Sequence, residues 1–177
     1  RNGNPYDFAR NGERLLLRRI VAMQPRMVLD VGANVGNWSA AAHEIMPGAT
    51  LHAFELSSAN FDQLAAQFSG EDRVHTHPFG LGNRNEEIVY KDYGKGSGHN
   101  TILTQSDFHD KRTPPRLRKG KICRGEDFCA EANITEIDLL KIDVEGFEDQ
   151  VLKGMGKLLE EKRVRVVQFE YGYTHAD

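Results

Sequence analysis

Cysteine is scarce in this chain of 177 residues: only Cys123 and Cys129 occur, six positions apart. That spacing matches neither a CxxC redox pair nor a zinc knuckle, so two reduced thiols are expected, as in a cytoplasmic protein. Long apolar runs are absent too. Leu15-Leu16-Leu17 is boxed in by arginines, far short of the ~18 residues that a spanning helix needs. Neither sign of charge dominates, since 23 Lys and Arg face 26 Asp and Glu for a net charge of -3. With a pI near 6.2 there is no global attraction to nucleic acid or anionic lipid, and neither is expected as a partner. No repeat, low-complexity tract or signal peptide appears. The chain opens at Arg1 instead of a methionine, so a segment upstream is expected.

What is present fits one globular α/β domain over residues 1–177, with an N-terminal helical segment at 1–25 and a core at 26–177. Hydrophobic residues make up 39% and charged residues 28%, and a chain of this mass buries roughly 70% of its surface without disulfide or metal. Asp7 is placed to cap a helix to about Met23, with Leu16, Ile20 and Met23 on one stripe and Pro25 ending it. Strands are expected at 27–31, 50–55 and 73–79. Helices are expected at 38–46, stopped by Pro47-Gly48, and from Ser57 or Ser58 to about Phe68, stopped by Gly70. An additional strand at 86–93 leads into the glycine-rich loop 94–100. Residues 111–121 hold six basic residues, two prolines and no acid, and read as an exposed loop entering a short strand near Ile122. A strand at 138–143, one helix from Phe147 to about Glu161 and a strand at 164–170 close the pattern. Such alternation implies a doubly wound, mostly parallel sheet with helices on both faces.

Two segments carry chemistry. In Val28-Leu29-Asp30-Val31-Gly32-Ala33-Asn34-Val35-Gly36-Asn37-Trp38, a buried strand enters a glycine turn and a helix follows. In open α/β sheets the ligand sits beyond the carboxyl ends of the strands, near the reversal of strand order. Glu55 ends the second strand about 25 residues after Asp30, where a carboxylate can accept both hydroxyls of a ribose. The dinucleotide fingerprint GxGxxG is missing, and so is GxxxxGK[ST]. Asp30 would repel a pyrophosphate but suits the amino group of a zwitterionic amino-acid moiety, which favours S-adenosylmethionine over NAD. The second segment is Asp138-Leu139-Leu140-Lys141-Ile142-Asp143-Val144-Glu145-Gly146. Alternation puts Lys141 and Asp143 on one face, with Asp143 at the crevice. Glu170 comes to the same edge from the next strand. Asp143, Glu145 and Glu170 are therefore candidates for a general base on a substrate hydroxyl. Asp143 and Glu170 are the candidate ligands if Mg²⁺ takes part.

These stretches, with Ala53-Phe54-Glu55, Gly80-Leu81-Gly82 and above all IDLLKIDVEGFEDQVLKG at 137–154, resemble the FkbM family of S-adenosylmethionine-dependent methyltransferases. The resemblance covers about residues 26–172 and implies the Rossmann-like class I methyltransferase fold. It implies methyl transfer to an oxygen, commonly a hydroxyl of a sugar, polyketide or other small metabolite. On that resemblance Asp30, Gly32, Asn34 and Gly36 line the methionine end, with Ala33, Asn37 and Trp38 beside them, Trp38 chiefly as core. Glu55 and Leu56 serve the ribose side, and Gly80 and Leu81 lie by the adenine. Asp143 takes or relays the acceptor proton with Glu170, while Glu145 is structural or assists. Class I enzymes carry a further strand hairpin after the strand at 164–170, so a missing or disordered C-terminal segment is expected.

Other features have plainer readings. His75 and His77 share a strand face at zinc-binding spacing but lack an evident third ligand, and read as structural. His99 and Asn100 could reach the acceptor from their loop. The basic run has no interleaved aromatics and reads as solvated rather than nucleic-acid binding. A nicotinamide-dependent oxidoreductase of similar fold and a non-catalytic binding module are the alternatives. A homo-oligomer stays open.

Overall fold

The computed structural model describes residues 12–94 and 115–169. Five parallel strands form the main sheet: β1 (Met27–Val31), β2 (Thr50–Phe54), β3 (Val74–His77), β7 (Leu139–Ile142) and β8 (Val167–Phe169). Their order is β3-β2-β1-β7-β8. The chain steps outward from β1 to β3, then returns to the other flank of β1, so strand order reverses between β1 and β7. The register sets Asp30 opposite Lys141 and Val31 opposite Ile142.

Helices cover both faces because the strands are apolar on both. Val28, Leu51, Ala53, Val74 and Leu139 pack under α1 (Glu13–Ile20), α2 (Asn37–Ile45) and α3 (Ser58–Gln67). Leu29, Val31, Phe54, Leu140 and Ile142 pack under α4 (Gly125–Glu131), α5 (Glu148–Gly154) and α6 (Gly156–Glu160). Each fully buried Leu, Ile or Phe contributes about 1.5–3 kcal/mol. The doubly wound, Rossmann-like α/β architecture expected from the alternation is the one observed.

Four local expectations need correction. The basic stretch 111–121 is not a loop throughout, because β6 (Arg116–Arg124) begins inside it. With β4 (Gly80–Gly82) and β5 (Glu86–Asp92) it makes a second sheet in the order β4-β6-β5. Cross-strand acids make the basic strand tolerable: Lys121 lies opposite Glu87, and Arg118 Nε donates to Asp92 at 2.7 Å. The helix expected from Phe147 to Glu161 is two helices that meet at Met155, between Gly154 and Gly156, and glycine is a poor helix former. On α1 the buried residues are Leu17 and Ile20, while Met23 sits in a following 3-10 turn and is 38% exposed. Asp7, its expected cap, lies outside the described residues. Finally, α4 and β4 are elements too short for the pattern to show. Cys123 and Cys129 are both free thiols. No helix among the described residues is long and apolar enough to cross a membrane.

Candidate active site

The carboxyl ends of β1, β2 and β7 meet at the reversal point, and the residues after them form the site. After β1 the backbone turns at once. Gly32 (φ 83°), Asn34 (φ 51°) and Gly36 (φ 93°) are all left-handed, and the N–H groups of Gly32 and Ala33 both donate to the Phe54 carbonyl. The glycines serve close packing within the protein. A Cβ on Gly32 would run into the carbonyl of Asp143, and one on Gly36 would meet Gln67 and Leu64 of α3 and Phe68 just after it. The turn is thereby pressed between β7 and α3. Asn37 is exposed at the start of α2, Ala33 is buried, and Trp38 is buried behind the turn.

Glu55 spans the mouth of this turn. One carboxylate oxygen accepts the N–H of Asn34 at 2.8 Å and the other that of Ser57 at 2.7 Å. Burial pushes its pKa up to about 7, and Asp30 adds to the rise, against the pull of the two N–H donors and Lys141. Leu56 lies half-buried against the second sheet, where a Cβ on Gly120 would collide with it. Gly80 is near the same side chain, and Leu81 is buried beside it in β4. On β5, Tyr90 meets Ser57 and Ser58 at the start of α3. The small sheet is thus fastened to the loop that follows β2.

On the other side, the Asp143 side chain is 36% exposed and its Oδ2 lies 3.4 Å from Lys141 Nζ. Asp30 is wholly buried: Lys141 Nζ stands 3.1 Å from Oδ1, and Ser39 Oγ donates to Oδ2 at 2.5 Å. It is a buried counter-ion beneath the crevice. Glu145 (φ 52°) is half-buried in the turn after β7. That turn is clamped by Glu148, whose carboxylate accepts the N–H groups of Val144 and Gly146. Glu170, His99 and Asn100 lie outside the described residues. Among the described residues no group of three His, Cys, Asp or Glu is placed to hold a metal ion.

Sequence reasoning missed Lys141 as a site residue, together with Ser39, Glu148 and Tyr90. A signal for Lys141 existed, since a lone charge in the apolar strand Leu139–Ile142 must have a buried partner. His75 and His77 are joined by His52, whose Nδ1 lies 3.0 Å from His77 Nε2. The His52 and His77 rings sit on the α4 side among Phe54, Phe79 and Phe128, with the exposed His75 ring against His52, and none of the three is in the crevice. Burial, with neighbouring histidines adding to it, lowers His52 and His77 to about 4.

A glycine turn after the first strand, a carboxylate spanning it from the second and an acid at the reversal point define a Rossmann-like protein with its crevice where ligands of such sheets sit. The sequence profile of the Methyltransferase FkbM domain matches residues 30–177. The chain belongs to the FkbM methyltransferase family. It is similar to "Methyltransferase 1" of Beauveria bassiana, at 25% identity over 72% of this chain and 57% of the relative. The 31-O-demethyl-FK506 methyltransferase FkbM of Streptomyces tacrolimicus is 31% identical over 81% of this chain and 65% of its own length. The 2-O-methyltransferase NoeI of Sinorhizobium fredii is 26% identical, over 87% and 68% respectively. The chain therefore spans about three fifths to two thirds of these relatives. A crystal structure of methyltransferase FkbM from Methylobacillus flagellatus shares the fold, with a TM-score of 0.53 at 17% identity over 80% of this chain and 32% of that one.

Proposed function

We propose that this chain forms the cofactor-binding core of an S-adenosylmethionine-dependent O-methyltransferase whose acceptor is a hydroxyl on a sugar, polyketide or other small metabolite. The observation that carries the reading is Glu55. Its carboxylate is fixed across the turn by one backbone N–H on each oxygen, and the lone pairs that remain suit vicinal ribose hydroxyls. Asp143 supplies a second, partly open carboxylate at the reversal point, and acids here suit a ligand that carries positive charge. The names of the Streptomyces and Sinorhizobium relatives, both O-methyltransferases, support oxygen as the atom methylated.

When bound, the cofactor supplies a methyl group already activated on a sulfonium, so catalysis is mostly positioning. The turn 32–36 receives the amino-acid end, and Asp30 shapes that end from below through Lys141. Leu56, Gly80 and Leu81 form the wall on the side of the small sheet. Asp143 accepts the proton of the acceptor hydroxyl or relays it, with Glu170 as its proposed partner, while Glu145 shapes the turn. Free thiols at Cys123 and Cys129 suit the cytoplasmic setting that belongs to this reading. The test is transfer of a labelled methyl group from S-adenosylmethionine to a panel of sugars and polyketide alcohols. Label should appear on a hydroxyl and fall about 100-fold in Asp143→Asn. Label found only on an amine would overturn the oxygen assignment.

A further inference from the structure

Lys141 is the one charged residue of β7, a strand buried along its whole length, and its own side chain is 5% exposed. An ammonium has three N–H donors, and three acceptors surround this one. They are Asp30 Oδ1 at 3.1 Å, Asp143 Oδ2 at 3.4 Å and the Gly32 carbonyl at 3.4 Å. The Trp38 ring closes the fourth side, 5.7 Å from Nζ. The three acceptors come from the end of β1, the turn after it and the end of β7. One cation therefore joins both strands that flank the reversal point.

The two carboxylates differ in what they need. Asp30 is fully buried, so its charge requires the lysine. Asp143 is one-third exposed and can be solvated without help. Its contact with Lys141 does little for burial, but it fixes a carboxylate that would otherwise turn in the crevice. Burial alone would favour the neutral amine, yet Asp30 and Asp143 together outweigh it and hold the ammonium above its ordinary pKa. Glu13 faces it from α1 as a further negative charge.

We propose that Lys141 is a positioning residue of the methyl-transfer site, anchored by buried Asp30 and holding the Asp143 carboxylate at the reacting end of the cofactor. This inference rests on the methyltransferase reading above. A purely structural lysine would leave the behaviour of Asp143 unchanged once the buried pair is replaced as a pair.

The test compares two probes, S-adenosylhomocysteine and the amine analogue sinefungin, which carries a protonated amine near the position of the transferred methyl. A carboxylate held there favours sinefungin by about tenfold, measured calorimetrically. Asp143→Asn should bring that ratio close to one. Asp30→Asn with Lys141→Met removes one charge of each sign, leaves the net charge of the site as it was and keeps Asp143. The positioning role predicts that in this double variant the ratio of the two affinities also falls close to one, even where both affinities weaken together. Retention of the full preference in the double variant, or its absence from the unsubstituted chain, overturns the proposal. If the double variant does not fold, Asp30→Asn with Lys141→Gln keeps polar partners for Ser39 and Gly32 and carries the same comparison. Failure of the unsubstituted chain to bind either probe would instead defeat the methyltransferase reading itself.

Discussion

The two sheets of this protein are built on different terms. In the five-stranded sheet, β1, β2 and β7 are buried on both faces, and the ends of these strands carry the site. In the three-stranded sheet, β5 alternates between more and less buried residues, the first four residues of β6 are all exposed, and Leu56 packs under Gly120. Val89 is 53% exposed and Leu117 72% exposed on the open side. The large sheet holds the candidate site through close packing and buried charge. The small one rests on Leu56 and leaves large apolar side chains exposed on its outer face.

That contrast is broken most severely at Gly32. Gly32→Ala introduces a Cβ against the Asp143 carbonyl at a residue with φ 83°, and should cost at least about 3 kcal/mol. Urea denaturation reads the loss directly, and a variant within 1 kcal/mol of the parent would show that the turn is not pressed onto β7.

A smaller effect separates the sheets by pH. His52 and His77 of the large sheet are lowered to about 4 from an ordinary 6.5. Below pH 6.5 the unfolded chain binds protons that the folded chain refuses. The stability they contribute is therefore complete above pH 6.5 and lost as pH falls toward 4, by about 1–3 kcal/mol. His52→Leu with His77→Phe should flatten that part of the stability–pH curve, and an unchanged slope would contradict the assignment. Smallest of all, Leu117→Lys and Val89→Thr on the open face should each change stability by less than about 0.5 kcal/mol. A larger loss in thermal melting would mean that this face is covered.

The same contrast explains what was legible in the sequence. The strands at Met27, Thr50 and Leu139 announced themselves as short apolar runs, because burial on both faces favours apolar residues at most positions, with buried Asp30, His52 and Lys141 as the exceptions. The turn at Gly32 and the carboxylate at Glu55 were visible for a related reason, since strand-end chemistry interrupts those runs sharply. β6 was hidden because five of its nine residues are Lys or Arg, and its partners on β5 lie some thirty positions earlier in the chain. Pairing across that distance leaves no local period. The role of Lys141 was hidden likewise: its face was evident from alternation, but its partner Asp30 sits 111 residues away and only the β1–β7 register brings them together.

The most direct test of the account is calorimetric titration with S-adenosylhomocysteine, with NADH run in parallel and Glu55→Ala as the control. Glu55 gains its charge near pH 7, and hydroxyl donors prefer the carboxylate, so binding should tighten from pH 6 to pH 8. The account predicts dissociation constants on the order of micromolar at pH 8, lost in Glu55→Ala, with no comparable binding of NADH. A folded chain that ignores S-adenosylhomocysteine, or prefers NADH, would contradict it.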